Sequence, residues 1–217
     1  MADFLTEEEQ AERIRQLWRD YGLTIVLALV LGIGGIIGWN FFQDHRAKVA
    51  QERADIFVDF ETARGLLGPV EELAQDIEER YPNSSYQMFV LLYQAKDAVD
   101  EDNYELALEQ LNGALELAKD KTFQSMIRMR KARVEFQLNK LDEALSTVGQ
   151  VGAGYELLAL ELTGDIYRAR GEIELAATAY TDALELSESF FDEQRIGSKL
   201  SSLPRTLEDD SESNSSS

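Results

Sequence analysis

Residues 21–42, YGLTIVLALVLGIGGIIGWNFF, form a run without a charge, closed by Asp20 on one side and by Gln43 and Asp44 on the other. A helix rises about 1.5 Å per residue, so roughly 20 residues cross the ~30 Å hydrocarbon layer of a bilayer. A single segment spans lipid only as a helix, because only then are all its backbone polar groups satisfied internally. Tyr21 stands at one end and Trp39, Phe41 and Phe42 at the other, where aromatic rings favour the headgroup level. The stretch is read as a transmembrane helix, and the rest of the chain is arranged around it. Within it Gly34 and Gly38 make a GxxxG, Gly35 adds to the glycine run, and Ala28 with Gly32 repeats the spacing one turn earlier. Small residues four apart let a second helix backbone approach closely, which marks this stripe as a candidate for helix pairing.

On the N-terminal side, residues 1–20 are charged and long, unlike the short basic start of a cleaved signal peptide, and no Ala-x-Ala site follows the apolar run. An uncleaved signal-anchor is expected, with residues 1–20 as a tail. Orientation is not fixed by charge. Arg13, Arg15 and Arg19 precede the span while Arg46, Lys48 and Arg53 follow it, close to a tie under the positive-inside rule.

Beyond the span, Ala50, Ala54, Phe57, Phe60, Ala63 and Leu67 recur at intervals of three and four, the period of an amphipathic helix. Residues 43–68 are expected to leave the membrane as a stalk that becomes the first helix of a soluble domain. Gly65, Gly68 and Pro69 are expected to end it, and proline is well placed to open the next helix.

The remainder is repetitive. Val70, Ala107, Ala144 and Ala176 fall in equivalent positions, 37, 37 and 32 residues apart, around the 34-residue period of tetratricopeptide repeats. The last unit is clearest, with Gly164, Tyr167, Gly171, Ala176, Tyr180 and Ala183 in register. An earlier unit matches at Leu91, Ala95, Ala98, Ala107, Leu111 and Ala114, with Asp102 and Asn103 where the turn glycine belongs. In the third unit Ala132 and Ala144 fit, but Arg128 and Glu135 occupy apolar positions, which leaves a one-residue shift of its first helix open. The expected fold is all-α: one N-terminal transmembrane helix followed by a tetratricopeptide-like α-solenoid of about four helix pairs over residues 69–203. A capping helix would carry Phe190, Phe191, Ile196 and Leu200 over the last pair, since solenoid ends need covering. Residues 204–217 are acidic and serine-rich and are expected to be a disordered tail.

The formal net charge of −20, from 41 acidic and 21 basic residues, argues against nucleic acid as a partner. The chain has no cysteine and a single histidine, His45 at the membrane flank, so no metal site of the usual kinds is visible. No nucleophile motif appears, and the carboxylates form a background from which no acid–base pair stands out. No cofactor and no enzymatic activity are expected. The place to look for function is the concave surface lined by the first helix of each pair. Counting from the repeat register, its candidates are Phe89, Leu92, Lys96 and Val99, then Met126, Met129, Arg133 and Phe136, then Glu161, Asp165 and Arg168. Several of these could instead be core, or be covered by the capping helix.

The combination of a glycine-rich span ending in Ile37, Gly38, Trp39 and two phenylalanines, an amphipathic stalk and a degenerate repeat domain resembles a known family. The segments KARVEFQL at 131–138 and GDIYRARGE at 164–172 strengthen the likeness. Up to about Leu203 the chain resembles the YfgM-type ancillary subunits of the SecYEG translocon. The resemblance implies a single-pass inner-membrane protein with its N terminus in the cytoplasm and its repeat domain in the periplasm. It also implies the SecYEG translocon and a PpiD-type periplasmic chaperone as partners, with unfolded client chains as possible occupants of the groove. A membrane-tethered regulatory adaptor and an envelope scaffold are the alternatives.

Overall fold

The computed structural model describes residues 7–66, 68–152 and 154–204. The acidic tail beyond Pro204, residues 1–6 and Leu67 of the stalk pattern lie outside the described residues. Among those described, all regular structure is helical: α1 (Glu7–Leu66), α2 (Val70–Arg80), α3 (Ser85–Asp100), α4 (Tyr104–Leu117), α5 (Lys121–Gln137), α6 (Leu141–Val148), α7 (Glu156–Arg170), α8 (Ile173–Glu185) and α9 (Phe190–Ser201). The chain divides into two units, Met1–Val58 and Asp59–Ser217.

The first unit is α1 up to Val58. From Leu23 to Phe42 every large apolar side chain on it is at least 43% exposed. Soluble proteins do not leave so long an apolar surface uncovered. By length and composition α1 is able to cross a membrane, and lipid accounts for the exposure.

The second unit is the helical array. Its regularity comes from three turns of one type. Asp102, Asn139 and Gly171 adopt left-handed backbone angles, with φ of 57°, 57° and 77°. At each turn the next residue's N–H returns to a carbonyl five positions back: Asn103 to Ala98 at 2.8 Å, Lys140 to Glu135 at 2.9 Å and Glu172 to Tyr167 at 2.9 Å. This is the Schellman closure of a helix. Glycine enters that region freely, and aspartate and asparagine are the next most tolerant residues. That is why the turn signal survives at Asp102 and Asn139 without glycine.

Five residues after each turn, Ala107, Ala144 and Ala176 are 0% exposed. They lie where the second helix of a pair meets the first, and a larger side chain there would hold the helices apart. Alongside them Ala95, Ala132 and Gly164 occupy one register position of the first helices. At Gly164 the reason for the small residue is explicit: an added Cβ would stand 2.5 Å from the Tyr180 ring. Tyr180 is fully buried, and its hydroxyl donates to Asp165 Oδ1 at 2.8 Å. Burial, and then that hydrogen bond, raises the phenol's pKa above its ordinary value of 10.0.

The third pair keeps the plain register, with Ile127 and Ala132 both 0% exposed, so no one-residue shift is present. Glu135 is instead accepted as a buried carboxylate with Lys131 Nζ at 3.6 Å. The cap also departs from expectation. Ile196 is buried and Leu200 packs against the Ala176–Tyr180–Ala183 cluster, but Phe190 and Phe191 are 72% and 77% exposed. At about 100° per residue, Ile196 and Leu200 share a face. The two phenylalanines, six and five positions before Ile196, point well away from it.

Gly164→Ala should destabilise the array by about 1–3 kcal/mol through overpacking, read as a lower melting temperature of the whole chain in detergent. Adding Tyr180→Leu should recover most of the loss, because it copies the Ala95 and Leu111 combination of the earlier unit.

Candidate functional site

The first helices of the second and third pairs, α3 and α5, enclose a hollow of about 470 Å³. From α3 it takes Phe89, Leu92, Tyr93, Lys96 and Val99; from α5 it takes Phe123, Met126, Arg130, Arg133 and Val134. Phe89 and Phe123 meet edge to face with ring centres 5.5 Å apart. The charged residues at this hollow are all basic. Lys96 bonds Asp100 on its own helix, whereas Arg130 and Arg133 make no ion pair among the described residues. In a chain of net charge −20 this is a local reversal of sign.

Tyr93 is held from the side. Its hydroxyl donates to Glu61 at 2.8 Å, and the Arg64 guanidinium lies 4.6 Å from its ring centre. Arg64 donates to Asp97 Oδ1 at 2.7 Å. That hydrogen bond holds the Asp97 carboxyl below its ordinary range, against the opposing effect of its burial. The last turns of α1, from Asp59, therefore fix one wall of the hollow.

Arg133 also belongs to a second hollow, of about 420 Å³, with Leu158, Glu161 and Asp165 of α7 and Asp192, Arg195 and Lys199 of α9. Here the charges are matched. Arg195 donates twice to Glu161, at 3.0 and 2.9 Å, and Lys199 lies 2.8 Å from Glu161 and 2.6 Å from Asp165. Burial disfavours a charged Glu161, but the hydrogen bonds from Arg195 and Lys199 outweigh it and hold the carboxyl below the ordinary 4.5. The same bond to Glu161, helped by Asp192, raises the Arg195 guanidinium.

Of the residues expected to line one groove, Phe89, Leu92, Lys96, Val99, Met126 and Arg133 come together at the first hollow, and Glu161 and Asp165 at the second. Met129 is 2% exposed and belongs to the core between α5, α6 and α7, with Phe136 packed against it. The lining stripe of α5 steps through Phe123, Met126, Arg130 and Arg133; Met129 stands one position, about 100°, before Arg130, and Phe136 one position before Gln137, the next step of that spacing. Arg168 is exposed and lines neither hollow; its nearest carboxylate is Asp165 at 3.9 Å. Tyr93, Phe123 and Arg130 were missed, although the three-and-four spacing of the α5 stripe is visible in the sequence. Arg195 and Lys199, four apart, face Glu161 and Asp165, also four apart, and that matched spacing was the available signal. In α1, Ala28 is exposed, and a Cβ on Gly32, Gly34, Gly35 or Gly38 would meet nothing within 4 Å. Among the described residues no group of metal-ligating side chains occurs.

The tetratricopeptide repeat-like domain family matches residues 15–205. A Haemophilus influenzae protein named an ancillary SecYEG translocon subunit is 32% identical over 94% of this chain and 100% of its own length. The chain belongs to the ancillary SecYEG translocon subunit family. An Escherichia coli member of the family is 25% identical over 83% of this chain and 88% of its own. A solved structure of a double mutant of MamA shares the fold, with a TM-score of 0.54 at 18% identity over 68% of this chain and 83% of that one. In this member of the ancillary subunit family, the repeat fold thus presents a basic, apolar hollow beside a charge-locked cap.

The cap carries a pH dependence. A carboxyl whose pKa is lowered by folding contributes stability above the unfolded value and loses it as pH falls through the folded one. Protection of the α9 amides, taken relative to their intrinsic exchange rate at each pH, should therefore fall first as pH drops below the ordinary 4.5 of Glu161. Glu161→Gln should remove that step and loosen the cap by about 1–3 kcal/mol at neutral pH.

Proposed function

We propose that this protein is a membrane-anchored accessory of the SecYEG translocon that holds a binding surface beside emerging chains. The observation that carries the reading is the 32% identity to a relative of that name across its whole length. The repeat fold supports it, since stacked helix pairs present extended surfaces for other proteins. In this reading α1 crosses the inner membrane once, with its N terminus in the cytoplasm and the array in the periplasm, and a PpiD-type chaperone is the partner there. The hollow of Phe89, Leu92, Lys96, Val99, Met126 and Arg133 takes a segment of that partner or of an emerging client. Tethering raises effective concentration to roughly the millimolar range for short flexible linkers, so a weak contact is enough.

Purification of the tagged full chain in mild detergent should recover translocon components together with the chaperone. Phe89→Ser combined with Met126→Ser should keep the translocon and reduce chaperone and client recovery about tenfold, the effect of losing roughly 1.4 kcal/mol of contact. Recovery of neither class by the unaltered chain overturns the reading. A reporter active only in the periplasm, fused after Ser217, should be active.

Within the membrane, the open stripe of Ala28, Gly32, Gly34, Gly35 and Gly38 is proposed to pair with another helix. Gly34→Leu with Gly38→Leu should weaken that lateral association, read by cross-linking in vesicles, without affecting insertion.

A further inference from the structure

The exposed Phe190 and Phe191 are not explained by the cap, and their surroundings complement the first hollow. The sequence around them, SESFFDE at 187–193, places the aromatic pair between Glu188 on one side and Asp192 and Glu193 on the other. The rings meet at 6.2 Å, and both are more than 70% exposed. Asp192 is engaged by Arg195 at 2.7 Å, while Glu188 and Glu193 are exposed and form no ion pair among the described residues. At the first hollow, Arg130 and Arg133 likewise form no ion pair among the described residues, although Arg133 also lines the second hollow with Asp192; the apolar wall of the first includes Phe89, Phe123 and Met126.

We propose that the Phe190–Phe191 pair of one copy docks in the α3–α5 hollow of a second copy, with Glu188 and Glu193 set against Arg130 and Arg133. Two unexplained features, an exposed aromatic pair and two guanidinium groups without an ion pair among the described residues, are then satisfied by one contact. The chain's acidic tail is a poorer occupant: residues 205–217 hold carboxylates but no aromatic residue to fill an apolar hollow. The contact joins different surfaces of the two copies, so it leaves one plug and one hollow unused and can extend to further copies or close into a ring. The net charge of −20 on each copy opposes association at long range. At about 0.1 M salt that repulsion is screened beyond roughly 10 Å, and the local pairing acts inside that distance. The inference uses the same hollow as the proposed function but does not depend on the translocon.

The natural chain has no cysteine, so single cysteines report cleanly. Full-length Gln194→Cys and full-length Thr122→Cys chains, mixed in detergent micelles with a short bismaleimide, should form a cross-linked dimer while both aromatic surfaces stay intact. Arg130→Glu with Arg133→Glu on the Thr122→Cys chain should reduce its yield at least tenfold. Glu188→Lys with Glu193→Lys on the Gln194→Cys chain should then restore it. All these positions are exposed, and unchanged helicity by circular dichroism verifies the fold. A yield equal to that of a Thr178→Cys control, or one indifferent to the charge reversals, overturns the proposal. A cross-link seen only after residues 205–217 are removed also overturns it, in favour of the tail as occupant. Failure here leaves translocon recovery untouched, and failure there leaves this cross-link untouched.

Discussion

The soluble array depends on how closely two helices of a pair can approach. Ala107, Ala144 and Ala176 are wholly buried, and Gly164 lies so near Tyr180 that even one methyl group would collide with its ring. Dispersion falls steeply with distance, so this closeness determines how much contact each pair gains. The left-handed turns at Asp102, Asn139 and Gly171 return the chain at the same angle each time, which keeps the alanines in register. Every other feature, including the hollow, is a consequence of that repeated geometry.

The two ends of the array are fastened differently from its middle. At the start, Arg64, Asp97, Tyr93 and Glu61 tie the last turns of α1 to α3 through charge and an aromatic face. At the end, Arg195 and Lys199 of α9 are fixed to Glu161 and Asp165 of α7, alongside the apolar contacts of Ile196 and Leu200. Ion pairs of this kind add direction where apolar area is small, and partners that are partly buried resist screening better than exposed ones. The hollow between α3 and α5 lies between these fastenings, and its Arg130 and Arg133 make no ion pair among the described residues.

Much of this was legible in the sequence. The apolar run of residues 21–42 and the alanine spacing were enough for the fold class, because each obeys a simple geometric period. The degenerate turns were harder: Asp102 and Asn139 carry the left-handed angle without the glycine that advertises it. The groove was legible in part. Phe89, Leu92, Lys96 and Val99 of α3 all lie at the hollow, but on α5 Met129 and Phe136 turn inward while Phe123 and Arg130 turn out, and a one-position error on a helix moves a side chain by about 100°. The exposure of Phe190 and Phe191 was not legible, because two adjacent aromatics normally signal burial and only the Ile196–Leu200 face shows which way α9 rolls.

The uncovered apolar surface of α1 has a consequence for the chain's own biogenesis. A surface of this kind, with Leu23, Leu31 and Phe41 each more than 70% exposed, has no stable place in water at any time after synthesis. From synthesis onward this surface needs cover, first from whatever shields the emerging segment and finally from lipid, so the chain is itself a client of membrane insertion.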